Sequence, residues 1–192
     1  YLMVFSNRGE LLAHRTMGGQ YTNTYFDCAD TDGDGNIEII TSKGGHGEQS
    51  SEPGEIYVLD GRSLKVKKHV PGPRPSFSAI HYFRTKNKRL LAVGDSEGRV
   101  QLLDDQLSAV GETLLQKPAF VLGVVPLGVP NDEFFHIGVL AGYSHIHILD
   151  DRLNTVHTTS VKVDDSFIPA EAKFVSMSQL GEKAGLLWTR AE

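Results

Sequence analysis

The chain has 192 residues, of which 40% are hydrophobic and 22% charged, and its formal net charge at pH 7 is −5. This composition is typical of one globular domain with a sizeable core. The negative balance argues against a general nucleic-acid-binding protein, which is usually basic, and no apolar run approaches the ~20 residues of a membrane-spanning helix. We therefore predict no nucleic-acid partner and no membrane span.

The first stretch of the chain, residues 2–11, has four apolar residues at 2–5, a polar and Gly-containing stretch at 6–10, and then Leu11. Apolar residues on either side of a Gly-containing turn are typical of a β-hairpin. We therefore predict a two-stranded unit in residues 1–16, the weak first copy of a pattern that recurs along the chain.

A regular series of acidic residues follows in residues 30–38, with carboxylates at positions one, three, five and nine. Calcium takes six to eight oxygens at about 2.3–2.6 Å, and a short loop offers that many only if oxygen donors recur closely. Gly33 and Gly35 permit the positive φ that such a loop needs. The predicted ligands of a Ca²⁺ ion are the carboxylates of Asp30, Asp32 and Asp34, the backbone carbonyl of Asn36, and Glu38 directly or through water.

The alternative interpretation of this loop is a solvated acidic turn, because Asp, Gly and Asn are also ordinary turn residues. Three alternating aspartates would repel one another without a counter-ion, which favours the metal site. A helix–loop–helix calcium site needs a glutamate at position twelve, where this chain has Thr41. The β-branched residues at 37–41 predict a strand, so we place the loop between two strands.

A strand-like segment that ends in a Leu-Asp turn occurs three more times. The turn aspartates are Asp60, Asp104 and Asp150, which are 44 and then 46 residues apart. Units of about 40–50 residues with four strands each are typical of β-propeller blades. The repeat therefore predicts an all-β fold, a β-propeller of four-stranded antiparallel blades, in which these aspartates cap the amides of their own turns.

The predicted strands divide the chain, taken as a single domain, into three complete blades and two partial ones. These are a partial blade at 1–16, blades at about 20–70, 76–115 and 119–162, and a partial blade at 170–192. This gives about four blades, for which two arrangements remain open. The terminal strands either close a four-bladed ring or belong to a segment of a larger propeller, and we favour the segment.

Residues 62–89 contain nine Lys and Arg and no Asp or Glu. In an acidic protein this asymmetry predicts a basic sector that attracts an acidic partner. The candidate partner-binding residues are Lys67, Lys68, Arg74, Arg84, Lys86, Lys88 and Arg89, together with His46 in a Gly-rich loop. The alternative is that Lys67 and Lys68 protect an edge strand from aggregation and that the remaining lysines form a solvated turn.

Further candidates are histidines and the single cysteine. His145 and His147 lie two apart on a predicted strand and therefore share a face, which suits either a metal or an ordinary packed or exposed pair. His81 and His136 fall in predicted inner strands, where we expect them to be packed. Cys28 has no partner for an internal disulfide, and we expect it to be a small core residue.

The pattern Asp-x-Asp-x-Asp-Gly-x-x-Glu followed by Ile-Ile, within residues 26–45, resembles the FG-GAP repeat of integrin α-chain β-propellers. Related calcium loops occur in bacterial propeller proteins and in rhamnogalacturonan lyases. The resemblance implies a calcium-binding repeat protein with a role in protein interaction, cell adhesion or carbohydrate binding. It also favours an extracellular, secretory or periplasmic location, with the cytoplasm as the alternative.

The sequence contains no motif of a catalytic nucleophile and no phosphate-binding loop. We therefore expect a non-catalytic scaffold that holds a protein or glycan partner, and the rest of a larger propeller chain is a further candidate partner. The alternative is a calcium-dependent polysaccharide lyase or a related glycan-active propeller, which the resemblance alone supports.

Overall fold

The structure is a computed structural model that describes residues 1–17, 22–23, 25–45, 54–71, 77–116, 120–127, 134–142, 144–160, 171–175 and 185–189. Within these ranges the chain forms strands and turns and no helix. Accordingly, the described residues include no helix with the length and apolar character needed to span a membrane.

The strands are numbered in chain order. Their bounds are β1 Leu2–Phe5, β2 Leu11–Arg15, β3 Thr22–Asn23, β4 Phe26–Ala29, β5 Glu38–Gly45, β6 Glu55–Asp60, β7 Val66–Pro71, β8 Phe77–Arg84, β9 Arg89–Asp95, β10 Arg99–Leu103, β11 Ala109–Leu114, β12 Val121–Leu127, β13 His136–Ala141, β14 His145–Leu149, β15 Thr155–Ser160, β16 Glu171–Val175 and β17 Gly185–Thr189.

These strands form antiparallel sheets in which neighbours in sequence are neighbours in space. The first hairpin is β1–β2, blade I is β4–β7 with the short β3 also paired to β5, blade II is β8–β11, blade III is β12–β15, and the last hairpin is β16–β17. Each sheet follows the order of its strands in the chain, because short turns connect antiparallel neighbours.

The sheets stack around their first strands. Strand β4 lies beside β8, β8 beside β12, and β12 beside β16. Successive sheets that meet at their first strands have the arrangement of propeller blades, so the predicted fold class, an all-β propeller with four-stranded antiparallel blades, is confirmed. The first and last hairpins are separate two-stranded sheets in the described part of the chain. Both the closed ring and the segment of a larger propeller stay predictions.

Each blade is buried on both faces, and alternate residues of a strand enter different cores. In β9, Leu91 and Val93 belong to the core that blades I and II share. Leu90 and Ala92 of the same strand belong to the core between blades II and III. This period of two is the geometry of a strand whose successive side chains point to opposite faces, and it explains why the inner strands are almost wholly apolar.

The turns that join the third and fourth strands of blades I, II and III share one construction. In each, the Oδ1 of the first residue accepts hydrogen bonds of 2.7–3.2 Å from backbone amides of the turn, and these residues are Asp60, Asp104 and Asp150. The capping role that the sequence predicts for these aspartates is confirmed.

A leucine in the left-handed conformation follows in each of these turns, with φ of 57° at Leu64, 62° at Leu107 and 64° at Leu153. This conformation is unfavourable for a residue with a side chain, but Leu64 and Leu153 are each only 2% exposed. Leu153 lies against Gly111 of blade II, where an added Cβ would come within 3.3 Å of it. Burial of the leucine in the neighbouring blade therefore offsets the backbone cost.

The first hairpin shows the same turn without the leucine. Gly9, with φ of 80°, donates its amide to the Ser6 carbonyl at 3.0 Å. No described atom lies within 4 Å of the place that a Cβ of Gly9 would take. With no neighbouring surface to pack against, glycine is the residue that meets the backbone requirement at no cost.

Substitutions of Leu153 test this balance. We expect Leu153→Ala to lower the free energy of unfolding by about 2–5 kcal/mol, because a buried leucine is truncated. Leu153→Gly should be more stable than the alanine variant by about 0.5–1 kcal/mol, because glycine adopts positive φ without strain. Denaturation in urea measures both values. A glycine variant that is less stable than the alanine variant would contradict the balance described.

Candidate metal centre

The acidic loop joins β4 to β5 and is shaped by its own amides. Asp30 accepts hydrogen bonds from the amides of Gly33 at 2.6 Å and Gly35 at 3.3 Å. Asp34 accepts one from the amide of Asn36 at 2.7 Å. Both glycines have φ of 85°, which explains why the sequence has glycine at these two places. The loop is therefore curled around its aspartates, with Asn36 at its exposed end.

Three carboxylates of the loop converge. One oxygen each of Asp30, Asp32 and Glu38 lies within 4.8 Å of the others. Glu38 is fully buried, and its Oε2 accepts hydrogen bonds of 2.8 Å from both the amide and the hydroxyl of Thr31. A buried carboxylate needs a charge partner as well as hydrogen bonds. The burial of Glu38 therefore requires a cation beside its carboxylate.

The cation that the structure places there is the ammonium of Lys67, from β7 of the same blade. Its Nζ lies 2.7 Å from Asp32, 2.8 Å from Glu38 and 3.8 Å from Asp34. The hydrogen bond from Lys67 lowers the pKa of the Asp32 carboxyl, and hydrogen bonds to Asp32 and then Glu38 raise the pKa of the Lys67 ammonium. The Asp32 carboxylate and the Lys67 ammonium are therefore both charged at neutral pH.

The donor set also fits calcium in its chemistry. Carboxylate oxygens are the hard ligands that Ca²⁺ prefers, and Asp30, Asp32 and Glu38 present them within one ion's reach of each other. Asp34 lies next to this group on the side of Lys67. Calcium would supply two positive charges and fixed coordination, whereas Lys67 supplies one charge and hydrogen bonds. The calcium ligands predicted from sequence stay a prediction, now with a competing cation identified.

Two arginines of blade II also contact the acidic loop. Arg84, at the end of β8, donates to the Asp30 carbonyl and lies 3.6 Å from the Asp30 carboxylate. Arg89, at the start of β9, donates to the Thr31 carbonyl at 3.2 Å. The two arginines of blade II thus bring positive charge to the acidic loop of blade I. The acidic and basic stretches of the sequence meet across this blade boundary.

The other basic residues of the predicted partner surface are distributed differently. Lys68 donates to the Asp105 carbonyl of blade II at 2.5 Å. Lys86 and Lys88 are exposed in the turn between β8 and β9. His46 and Arg74 lie outside the described residues. Lys67, Lys68, Arg84 and Arg89 therefore have partners within the chain, and partner binding by the basic sector stays a prediction that falls mainly on Lys86 and Lys88.

The histidines separate by environment. His147 is buried on β14 and hydrogen-bonds through Nδ1 to the Thr158 hydroxyl at 3.1 Å, with its ring 6.5 Å from that of His145. His81 is half-buried, 3.4 Å from Asp27. His136 is exposed, so the prediction that it is packed is wrong. It is the first residue of β13, where the strand has only begun to enter the core.

Cys28 is also exposed, and the prediction of a core position for it is wrong. It shares β4 with Phe26, which is 59% exposed. Cys28 and Phe26 are two residues apart and therefore on the same face of this strand. Partial desolvation of its sulfur raises the pKa of the Cys28 thiol although the residue as a whole is exposed, and the neighbouring Asp27 carboxylate raises it further, which favours the protonated, less reactive form.

Sequence reasoning missed that Lys67 enters the acidic loop. The sequence contains part of this information, because it predicts Lys67 on an edge strand. Its reach to Glu38 depends on the register of three strands, with Glu38 opposite Asp60 and Leu59 opposite Val66. The register of β6 and β7 shifts between Val58 and Leu59 because Lys67 is an extra residue of β7 at this point, which the sequence alone does not indicate.

Comparison with solved structures shows what the fold is similar to. Crystal structures of BBS1N in complex with ARL6DN, one soaked with mercury and one with lead, match 82% of this chain with TM-scores of 0.54 and 0.53 at 12% identity. BamB from Moraxella catarrhalis matches 80% of this chain and 42% of its own, at 12% identity and a TM-score of 0.48. The likeness to BBS1N is one of fold alone.

The chain spans only 58% and 59% of the length of the two BBS1N chains that it matches. No protein-family model matches the sequence, and no curated protein matches it.

Alanine at the two loop glycines tests the contact between blades. An added Cβ at Gly33 would come within 2.5 Å of the Arg89 guanidinium, whereas at Gly35 it would meet no described atom within 4 Å. Both positions have φ of 85°, so Gly35→Ala reports the backbone cost, about 1 kcal/mol. We expect Gly33→Ala to be the more destabilising in chemical denaturation. In an Arg89→Met background the two should become equal, and a persisting difference would exclude Arg89 as its cause.

The buried His147 makes stability depend on pH. Burial lowers the pKa of His147, and the neighbouring His145 lowers it further. The unfolded chain therefore binds this proton more readily, with a pKa near the ordinary value of about 6.5, and stability is lost as the pH falls below that value. We expect His147→Gln to lose less stability than wild type between neutral pH and pH about 5.

His136→Gln, which removes an exposed histidine of the preceding, paired strand β13, is the matched control and should follow the wild-type pH profile. Urea denaturation at a series of pH values gives all three curves. Identical profiles for wild type and His147→Gln would exclude His147 as a source of the pH dependence.

Proposed function

We propose that this chain is a calcium-binding β-propeller that acts as a non-catalytic scaffold for a protein or glycan partner. The observation that carries the proposal is the convergence of Asp30, Asp32 and Glu38, with Glu38 fully buried. Burial of a carboxylate is costly without a cation, and this spacing of oxygen donors suits calcium. The resemblance of the loop to an FG-GAP repeat supports the calcium role, and we extend the proposal to an extracellular, secretory or periplasmic location, with the cytoplasm as the alternative.

Calcium in this proposal is structural. An ion bound to the loop between β4 and β5 would fix the first hairpin of blade I and the anchor points of Arg84 and Arg89. It would thereby stabilise the boundary between blades I and II. Because the unfolded loop does not gather these carboxylates, ion binding would contribute directly to the free energy of unfolding.

The scaffold role rests on the surface around the loop. Several loops lie at the same end of their sheets. The acidic loop and the Thr85–Lys88 turn each join a first strand to a second, and the aspartate turns of blades I–III each join a third strand to a fourth. These connections share one end because the first and third strands of an antiparallel sheet run in the same direction. Exposed lysines and carboxylates are mixed there, which favours a polar partner surface. A propeller of similar fold, BBS1N, was solved in complex with ARL6DN, and we extend a protein-binding role to this chain by proposal only.

Thermal melts with calcium and with chelator test the metal part. Calcium at 100 times its Kd would stabilise the folded chain by about 2.7 kcal/mol, which corresponds to a rise in Tm of about 5–10 °C for a chain of this size. We expect this rise in wild type and its loss in Asp32→Ala. Asp105→Ala is the matched control, because Asp105 is exposed and its carboxylate has a hydrogen bond to no described residue except Gln106, at 3.4 Å.

Equal destabilisation of Asp32→Ala with and without chelator would remove the metal role. Incubation of the wild-type protein with pectin-type polymers in calcium tests the non-catalytic role. Retention of a macromolecule without turnover is the expected result for a scaffold. Release of unsaturated oligosaccharides would contradict the non-catalytic role and favour the lyase alternative.

A further inference from the structure

We propose that Lys67 is a built-in competitor for the calcium of the acidic loop, so that calcium binds only by displacing the Lys67 ammonium. This inference rests on the proposed calcium binding and adds to it a regulatory element. The position of Lys67 carries it, because Nζ contacts Asp32 at 2.7 Å and Glu38 at 2.8 Å. These are two of the three residues whose oxygens converge.

The two cations exclude each other on electrostatic grounds. A Ca²⁺ ion bonded to the same two oxygens at about 2.4 Å would lie within about 5 Å of an ammonium that had not moved. Two like charges at this distance repel strongly in a partly buried site. Two of the three carboxylates that converge at the loop, those of Asp32 and Glu38, also accept the Lys67 hydrogen bonds, so the two cations compete for the same side chains.

Only one of the participants is free to move. Glu38 is fully buried and held by two hydrogen bonds from Thr31. The Lys67 side chain is 32% exposed and has a flexible four-carbon stem. Lys67 can therefore turn into solvent without any rearrangement of β7, whereas the carboxylate cannot leave. The loop keeps a cation and its fold in both states, and the exchange changes which cation is present.

The exchange also alters the loop-bearing surface. With Lys67 inside the loop, its charge is neutralised by Asp32 and Glu38. When calcium replaces it, the ammonium is released beside Lys68 and the loop gains the two charges of the ion. The surface that faces a partner thus becomes more positive on calcium binding, and an acidic partner would bind more tightly in calcium.

Substitution of Lys67 separates the competitor from the metal site itself. We expect Lys67→Met to bind Ca²⁺ at least about tenfold more tightly than wild type in calorimetric titration, since the ion no longer displaces a bound charge. Lys65→Met is the matched control: Lys65 is exposed two residues earlier, and its ammonium has no hydrogen bond or ion pair to the described residues. Its calcium affinity should equal that of wild type.

Substitution of Lys67 should lower the Tm in chelator and enlarge the rise in Tm that calcium causes. In chelator, Lys67→Met should melt below wild type, because Glu38 has lost the one cation that it contacts among the described residues. In calcium, the calcium-induced rise in Tm should be larger for Lys67→Met than for wild type. Lys67→Arg restores a charge at the site and should return both the chelator Tm and the calcium affinity towards wild type, which also provides a folded variant if the methionine variant is unstable in chelator.

The outcomes distinguish this inference from the proposed function. Calcium binding of equal affinity in wild type, Lys67→Met and Lys65→Met would overturn the competition and leave the calcium site intact. No calcium binding by wild type or by Lys67→Met would overturn both. Tighter binding by Lys67→Met alone, reversed by Lys67→Arg, would establish that the two cations compete.

Discussion

A buried carboxylate that requires a cation is the constraint on which this end of the molecule depends. Glu38 is fully buried at the start of β5, and the acidic loop that precedes it is folded so that Asp32 and the amide of Thr31 reach the same place. Removal of its partner would leave a buried, unpaired charge, which is among the most destabilising changes in a protein. Lys67, from the last strand of blade I, pairs with this carboxylate. Two arginines from the first strands of blade II contact carbonyls of the loop and hold it in place.

The same blades are joined elsewhere by apolar contacts of a simpler kind. The sheets of blades I–III carry buried apolar residues on both faces, and the leucines that end the aspartate turns extend each of these blades towards its predecessor. These leucines accept an unfavourable backbone conformation because their side chains are buried in return. The fold thus combines a repeated apolar interface along the whole stack with one charged interface, at blades I and II. The apolar interface buries the side chains of the three cores, and the charged one joins the acidic loop to Arg84 and Arg89.

Much of this was predictable from the sequence because it depends on short-range patterns. A period of two in the apolar residues gives the strands, and a repeated Leu-Asp pair gives the turns and the blade length. The spacing of three aspartates and a glutamate marks the loop as a cation site. The features that were missed depend on longer-range geometry. The entry of Lys67 into the loop follows from a bulge two strands away from Glu38, and the exposure of Cys28 and His136 depends on which neighbouring sheet covers each strand.

The central claim is that the acidic loop holds a cation whose identity can change. Diffraction data from crystals grown in calcium, collected with anomalous signal for the ion, test it most directly. We predict an anomalous peak about 2.3–2.6 Å from the carboxylates of Asp32 and Glu38, with the Lys67 side chain turned into solvent. A Lys67 ammonium that still lies between these two carboxylates at saturating calcium, with no ion at the loop, would contradict the account.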